Sequence, residues 1–129
     1  MVLKSALPIG AIYGATGVML GAFGAHGLKG VLSPERMESF QTGVQYQLLH
    51  ALALLFLYLL WRSNNSSVGK LVKAVFWCWS IGVLFFSGSI YLLVLAGTTY
   101  LWFVTPLGGL LLISGWVCLL IYSLSEARR

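Results

Sequence analysis

Four long stretches of apolar residues, separated by short polar segments, make up almost the whole chain. At about 1.5 Å per helical residue, each stretch is long enough to cross a hydrocarbon layer of about 30 Å. No long linker or low-complexity tract separates them. The pattern therefore predicts an all-α fold, an integral membrane four-helix bundle that forms a single domain over residues 1–129, with helices at about 6–26, 34–61, 71–96 and 101–122.

The second stretch carries the clearest helix start in the sequence. Ser33 is a predicted N-cap, Pro34 suits the first helical position, and Glu35 suits the positive end of the helix dipole. A helix over 34–61 would be about 42 Å long, which exceeds the hydrocarbon thickness. Its polar first half should therefore enter the bilayer only partway, and residues 64–67 should form a polar turn after it.

Most of the strongly polar side chains of the chain lie in that first half, on two faces. At about 100° per residue, Gln41 and Gln45 fall on one stripe with Glu38 and Thr42. This stripe lies nearer the membrane surface and is interpreted as a face towards water or lipid headgroups. The alternative interpretation is that this stripe forms part of a polar intramembrane site.

The second face lies deeper and carries Tyr46, Gln47 and His50 together with Gly43. A histidine or a glutamine in hydrocarbon is costly unless it faces the protein interior and finds partners. We expect hydrogen bonds between helices, with Gly43 packed against the first helix. The alternative hypothesis is a proton-handling or ligand site, to which Ser87 and Ser89 of the third helix and His26 at the end of the first could contribute.

The first helix carries the most regular pattern of small residues. Its glycine seam has a spacing of 4, 3, 4 and 3, and it consists of Gly10, Gly14, Gly17, Gly21 and Gly24. Small residues at this spacing let another helix approach closely. An alanine-rich series follows one residue along, and the opposite face, predicted to look towards lipid, holds Ile9, Ile12, Thr16, Met19 and Phe23. In the fourth helix Thr105 is a predicted N-cap before Pro106, and Gly108 and Gly115 form a second small strip.

Composition supports the membrane assignment, because 59% of the residues are hydrophobic and only 9% are charged. The net charge of +5 does not indicate nucleic-acid binding, since the cations are scattered singly at the ends of apolar segments. Six of the eight Lys and Arg residues fall on the side of both termini. The N-terminus and the C-terminus are therefore predicted to be cytoplasmic. Aromatic belts are predicted at the outer interface, with Tyr100, Trp102 and Phe103, and at the inner one, with Trp61 and Trp77.

The sequence offers no set of residues for a nameable reaction. Two histidines on neighbouring helices can hold a haem, but His26 lies near the surface and His50 well inside. The same difference in depth between the two histidines argues against a shared metal site, so no cofactor is predicted. Cys78 and Cys118 are interpreted as small hydrophobic residues. These observations together argue against an enzyme.

Four blocks resemble one known family: GAFGAHGL (21–28), QTGVQYQLLHALAL (41–54), LFFSGSIYLL (84–93) and FVTPLGGLLLISGW (103–116). The family is called domain of unknown function 423 and includes transmembrane protein 256. The resemblance covers nearly the whole chain and implies a four-helix protein of the bacterial inner (plasma) membrane type. It brings no activity with it. The family-typical positions are Gly21, Gly24, His26, Gln41, Tyr46, Gln47, His50, Ser87, Gly88, Ser89, Thr105, Pro106, Gly108, Gly109 and Trp116.

Three hypotheses for function follow. The favoured one is a small structural or accessory membrane protein that packs through its Gly/Ala seams with lipid, with itself as a homo-oligomer, or with a larger membrane complex. The alternative is a small oligomeric transporter or channel whose polar path includes Gln47 and His50. The third is a membrane enzyme or electron carrier that uses His26 or His50.

Overall fold

The computed structural model of the protein describes residues 2–64 and 69–128, and this part of the chain is helical without a strand. The four long helices are α1 (Ala6–His26), α2 (Pro34–Ser63), α3 (Lys70–Ala96) and α4 (Val104–Glu126). Short 3₁₀ turns precede α1 (Val2–Ser5) and α4 (Thr99–Leu101). All four helices are long and apolar enough to cross a membrane, which confirms the predicted fold. Of the polar turn predicted at 64–67, only Asn64 is among the described residues.

Two of the helix ends follow local sequence signals. The Ser33 hydroxyl caps α2 by accepting a hydrogen bond from the backbone N–H of Arg36 at 3.3 Å. Helix α3 ends at Gly97, whose φ of 66° is easily reached only without a side chain. Helix α4 begins at Val104, close to the approximate start at 101, and its N-cap residue is Phe103. Thr105 is therefore inside the first turn and is not the N-cap.

Helices α2 and α3 form the centre of the bundle, with α1 packed mainly on α2 and α4 mainly on α3. The N-terminal 3₁₀ turn contacts α1, α2 and α3 and closes one end of the bundle. Its Leu3 side chain is fully buried there. Because α1 and α4 lie on the outside, most of their surface remains available to lipid or to other proteins.

The apolar core is divided into two clusters. The larger lies towards the two termini, where Leu3, Leu54, Leu57, Trp61 and Val75 are among its members. The smaller lies at the other end and includes Leu28, Phe40, Val44, Ile90 and Val94. Buried Gln47, His50 and Ser87 lie between these clusters along α2 and α3. A layer of polar side chains therefore crosses the middle of the bundle.

The glycine seam of α1 faces α2. A Cβ on Gly10 would lie 3.0 Å from the carbonyl oxygen of Ala51, and one on Gly24 would lie 2.6 Å from the Phe40 ring. Gly14 and Gly21 face the same helix with looser contacts, to Ala51 and Val44. The seam is therefore used within the chain, where it brings the α1 and α2 backbones together.

Three predictions about packing faces were wrong. Thr16, assigned to the lipid face, lies beside α2 and hydrogen-bonds to Gln47, and Ile9 packs against the larger core cluster. Gly43 packs against Tyr91 and Ile90 of α3 instead of α1. Trp61, assigned to an aromatic belt, is buried, because its position on α2 faces the core. The other predicted belt residues are exposed: Trp77, Tyr100, Trp102 and Phe103.

The tightest approach in the fold is between α3 and α4. A Cβ on Gly108 would clash with the backbone of Phe85 and Phe86, and a Cβ on Gly115 would clash with the Trp79 indole. Backbone atoms cannot move aside as a flexible side chain can. Gly108 therefore fixes how closely the two helices pack.

We predict that Gly108→Ala lowers the free energy of unfolding by about 1–3 kcal/mol, because the methyl group overfills the contact between the α3 and α4 backbones. Gly88→Ala is the matched control, since its Cβ would meet no atom within 4 Å. The control should keep or slightly raise stability, because alanine favours a helix more than glycine does. Equilibrium unfolding in detergent micelles measures both. Equal stability of the two variants would contradict the close approach.

Candidate functional site

Gln47 is the centre of the polar layer and joins three helices. Its Nε2 donates to the carbonyl oxygen of Tyr13 at 3.0 Å and to Thr16 Oγ1 at 2.8 Å, both on α1. Its Oε1 accepts from the Tyr91 hydroxyl of α3 at 2.7 Å. The carbonyl of Tyr13 can only accept, so the orientation of the amide is fixed. Both N–H bonds of this buried amide are therefore used inside the protein.

His50 lies one turn further along α2 and faces α4. Its Nδ1 is 2.8 Å from the carbonyl oxygen of Tyr46, and its Nε2 is 3.1 Å from Trp116 Nε1. The ring meets Trp79 and Trp116 at steep angles, with centroid distances of 5.8 and 6.0 Å. Only 1% of the residue is exposed.

These two contacts determine the protonation state of the imidazole. An indole N–H only donates, so His50 Nε2 must accept and carries no proton. A backbone carbonyl only accepts, so Nδ1 must carry the proton. His50 is therefore neutral, with its proton on Nδ1. Protonation of Nε2 would set its N–H against the indole N–H of Trp116 and break that bond.

Further hydrogen bonds join the helices around Gln47 and His50. The Tyr13 hydroxyl donates to the carbonyl oxygen of Ser80 at 2.6 Å, which joins α1 to α3. The Ser87 hydroxyl donates to the carbonyl oxygen of Gly43 at 2.7 Å, which joins α3 to α2. Ser89 and Thr105 share a bond of 2.5 Å between α3 and α4. We use "polar layer" for Tyr13, Thr16, Gln47, His50, Ser87, Tyr91 and Trp116.

The structure does not bring all of the predicted site residues together. His26 is exposed at the end of α1. Gln41 and Gln45 are exposed and line a shallow groove of about 160 Å³ beside Gly21 and Gly24 of the seam. Tyr46 was expected inside with Gln47 and His50, but it is 42% exposed. Its ring covers His50 and Phe86 from the outside instead.

The sequence interpretation missed four members of the polar layer. Tyr13 and Tyr91 received no role, Thr16 was assigned to lipid, and Trp116 was noted only as family-typical. Each carries a donor within an apolar helix. A buried glutamine and histidine need such partners, so a search for donors at matching depth would have identified them.

Among residues 2–64 and 69–128, no three His, Cys, Asp or Glu side chains lie together in a way that could hold a metal ion. Cys78 and Cys118 are free thiols, both half-buried. A cleft of about 270 Å³ reaches His50 between Tyr46, Phe86 and Trp116, and its other lining residues are apolar or glycine.

Comparison with known proteins gives the family. The family model described as "Protein of unknown function (DUF423)" matches residues 20–109. The chain belongs to this family. The predicted resemblance is thereby confirmed, and the match covers both the glycine-rich end of α1 and the whole polar half of α2.

Relatives match over almost their full length. A UPF0382 membrane protein of Staphylococcus haemolyticus is 40% identical over 92% of this chain and 94% of its own. UPF0382 membrane protein YwdK of Bacillus subtilis is 37% identical over 92% of this chain and 95% of its own. UPF0382 inner membrane protein YgdD of Escherichia coli is 34% identical over 100% of this chain and 96% of its own. No solved structure matches the chain significantly.

The family and the four spanning helices together define the class of protein. The chain is an integral membrane protein of the bacterial inner-membrane type, in contact with lipid. The polar layer therefore lies at the depth of the hydrocarbon. Water is absent there, so the polar side chains must find their hydrogen-bond partners within the protein.

We predict that Trp116→Phe lowers the free energy of unfolding by about 0.5–2 kcal/mol, because it leaves the buried Nε2 of His50 without a donor. Trp102→Phe makes the same chemical change at a side chain that is 69% exposed, and it should leave stability unchanged. Unfolding titrations of both variants in the same micelles measure the difference. An equal effect of the two changes would show that the Trp116 bond does not stabilise the fold.

Proposed function

We propose that the protein is a small accessory membrane protein that acts through its lipid-embedded surface, and that its polar layer serves to hold the four helices together. One observation carries this proposal: the donors of Gln47 and His50 are already bonded within the chain. A side chain whose donors are committed to the fold is available for transport or proton transfer only after those bonds break.

The hydrogen bonds of His50 would have to break before it could carry a proton. A proton path through His50 requires protonation of Nε2, and that proton would displace the indole N–H of Trp116. The lost bond would leave a donor unpaired in the membrane interior, which is costly. The geometry thus favours a structural role for His50 over a role in a transport path.

The outer faces of α1 and α4 differ in a way that suggests where a partner would pack. One exposed stripe of α1 carries the small side chains of Ala11, Ala15, Ala22 and Ala25, and the larger Ile12, Met19 and Phe23 are exposed beside it. The exposed face of α4 carries large ones, among them Leu107, Leu110, Ile113, Leu120 and Leu124. Small residues allow close contact between helices in membranes, whereas bulky aliphatic ones fill space well against lipid chains. We therefore assign the partner-binding surface to α1.

Both termini are assigned to the cytoplasm in this proposal. Five described cations lie at the end of the bundle that holds the termini: Lys4, Arg62, Lys70, Lys73 and Arg128. Only Lys29 and Arg36 lie in or beside the connection at the opposite end. An excess of Lys and Arg marks the cytoplasmic side of membrane proteins.

Single cysteines test the surface assignment. In a background of Cys78→Ala and Cys118→Ala, we place Ala15→Cys or Ala22→Cys on α1, with Ile113→Cys or Leu120→Cys on α4 as matched controls. A membrane-permeant benzophenone maleimide is coupled to each cysteine in native membranes, and irradiation should give a discrete cross-linked product from the α1 variants and none from the α4 controls. Twice the mass of the chain identifies a homo-oligomer, and any other mass identifies a different partner. Absence of a product from α1, or equal products from both faces, contradicts the proposal.

The same background reports the orientation. An impermeant maleimide added outside spheroplasts should label Tyr100→Cys and spare Ser125→Cys. The reverse pattern would place the termini outside.

A further inference from the structure

A cleft of about 210 Å³ lies between α1 and α3, with Gln47 of α2 in its lining. It lies at the middle of the bundle, since Thr16, one of its lining residues, is the central residue of α1. Five of its lining side chains are polar, and the rest of the lining is apolar or glycine. Side chains of the polar layer therefore line a cleft at the depth of hydrocarbon.

Every donor of the polar side chains in this cleft is committed to the protein. The two N–H bonds of Gln47 are used on α1, as described above. The four hydroxyl groups donate to oxygen atoms of the chain at 2.6–2.7 Å: Tyr13 to Ser80, Thr16 to Ile12, Ser87 to Gly43 and Tyr91 to Gln47. No side-chain N–H or O–H in the cleft lining remains for a ligand.

Acceptors, in contrast, remain. A hydroxyl oxygen has two lone pairs and an amide oxygen also has two. Gln47 and Ser87 are almost fully buried, but Tyr91 is half-buried, and its Oη keeps at least one lone pair after the bond to Gln47. Thr16 is exposed, and its Oγ1 keeps one lone pair after donating to Ile12 and accepting from Gln47. The cleft therefore offers two acceptors and no free side-chain donor, so it is complementary to a molecule that donates hydrogen bonds.

Gly88 keeps the cleft open. It lies inside α3, where glycine favours the helix less than alanine does. No close contact explains it, because a Cβ at this position would meet no atom within 4 Å. Gly88 also lines a second cleft on α3, of about 450 Å³, which extends to Leu101 near the end of the helix. The two clefts share Leu84, Gly88 and Tyr91 in their linings, so a larger side chain at Gly88 would narrow both.

We infer that the α1–α3 cleft binds a neutral, apolar molecule that carries a hydroxyl donor, such as a quinol, with the hydroxyl directed at Thr16 and Tyr91. A neutral donor fits better than an ammonium group, because a charge at this depth is costly without a counter-charge. A molecule whose polar atoms only accept, such as the matching quinone, would find no free donor. The α3 surface beyond Gly88 would take the apolar tail.

A matched pair of probes tests this inference. Decyl-substituted benzoquinol and decyl-substituted benzoquinone share a tail and differ in whether the ring oxygens donate or only accept. Each is added to the purified protein in micelles of fixed composition, with the quinol kept under anaerobic reducing conditions. Bound ligand raises the melting temperature. We expect a rise that saturates with the quinol, and at least a tenfold weaker response to the quinone.

Gly88→Leu, which fills the cleft, should abolish the response to the quinol. Ser114→Leu is the matched control, because it places a leucine on the exposed surface of α4, away from the cleft, and it should respond like the unaltered protein. Ile12→Trp fills the cleft from the other wall and provides a second test if Gly88→Leu does not fold. No response in the unaltered protein, equal responses to quinol and quinone, or a response that persists in both filled variants would each overturn the inference.

Discussion

Two polar side chains on adjacent turns of α2 set the main constraint on this membrane bundle. Gln47 and His50 lie where water cannot reach them, so their hydrogen bonds must come from the protein. The partners come from all three other helices: Thr16 and the Tyr13 carbonyl on α1, Tyr91 on α3 and Trp116 on α4. Because each bond requires a particular depth and rotation of the partner helix, the two residues fix how the four helices are arranged.

Glycines make this arrangement possible. Apolar burial gives little preference between lipid and protein inside a membrane, so close backbone contact and hydrogen bonds must specify the packing. Gly17 faces the Gln47 amide and the Leu48 side chain, which lets α1 come close enough for Thr16 to bond. Gly108 and Gly115 allow the same close approach between α3 and α4, against the Phe85–Phe86 backbone and the Trp79 indole. Close contacts and polar bonds therefore support each other along the same interfaces.

The sequence predicted the helices well, because long apolar runs and the Ser33–Pro34 start depend on local properties. It also predicted that Gln47 and His50 need partners, since the cost of a polar group in hydrocarbon does not depend on the fold. It did not predict the partners. The faces of Thr16, Gly43 and Trp61 depend on which helices are neighbours, and the sequence contains no local signal for that. Gly43 was paired with α1 because α1 has the glycine seam, whereas Ser87 of α3 binds its carbonyl oxygen.

The protonation of His50 tests the account most directly. The protein is labelled with ¹⁵N at histidine, and its ring nitrogens are measured by NMR in lipid bilayers at neutral pH, with Trp116→Phe as a comparison. The account predicts a neutral imidazole with the proton on Nδ1 and an Nε2 that accepts a hydrogen bond, and it predicts that the Nε2 signal shifts when the indole is removed. A proton on Nε2, or an imidazolium, would contradict the assignment of His50 to the fold and would favour a role in proton transfer.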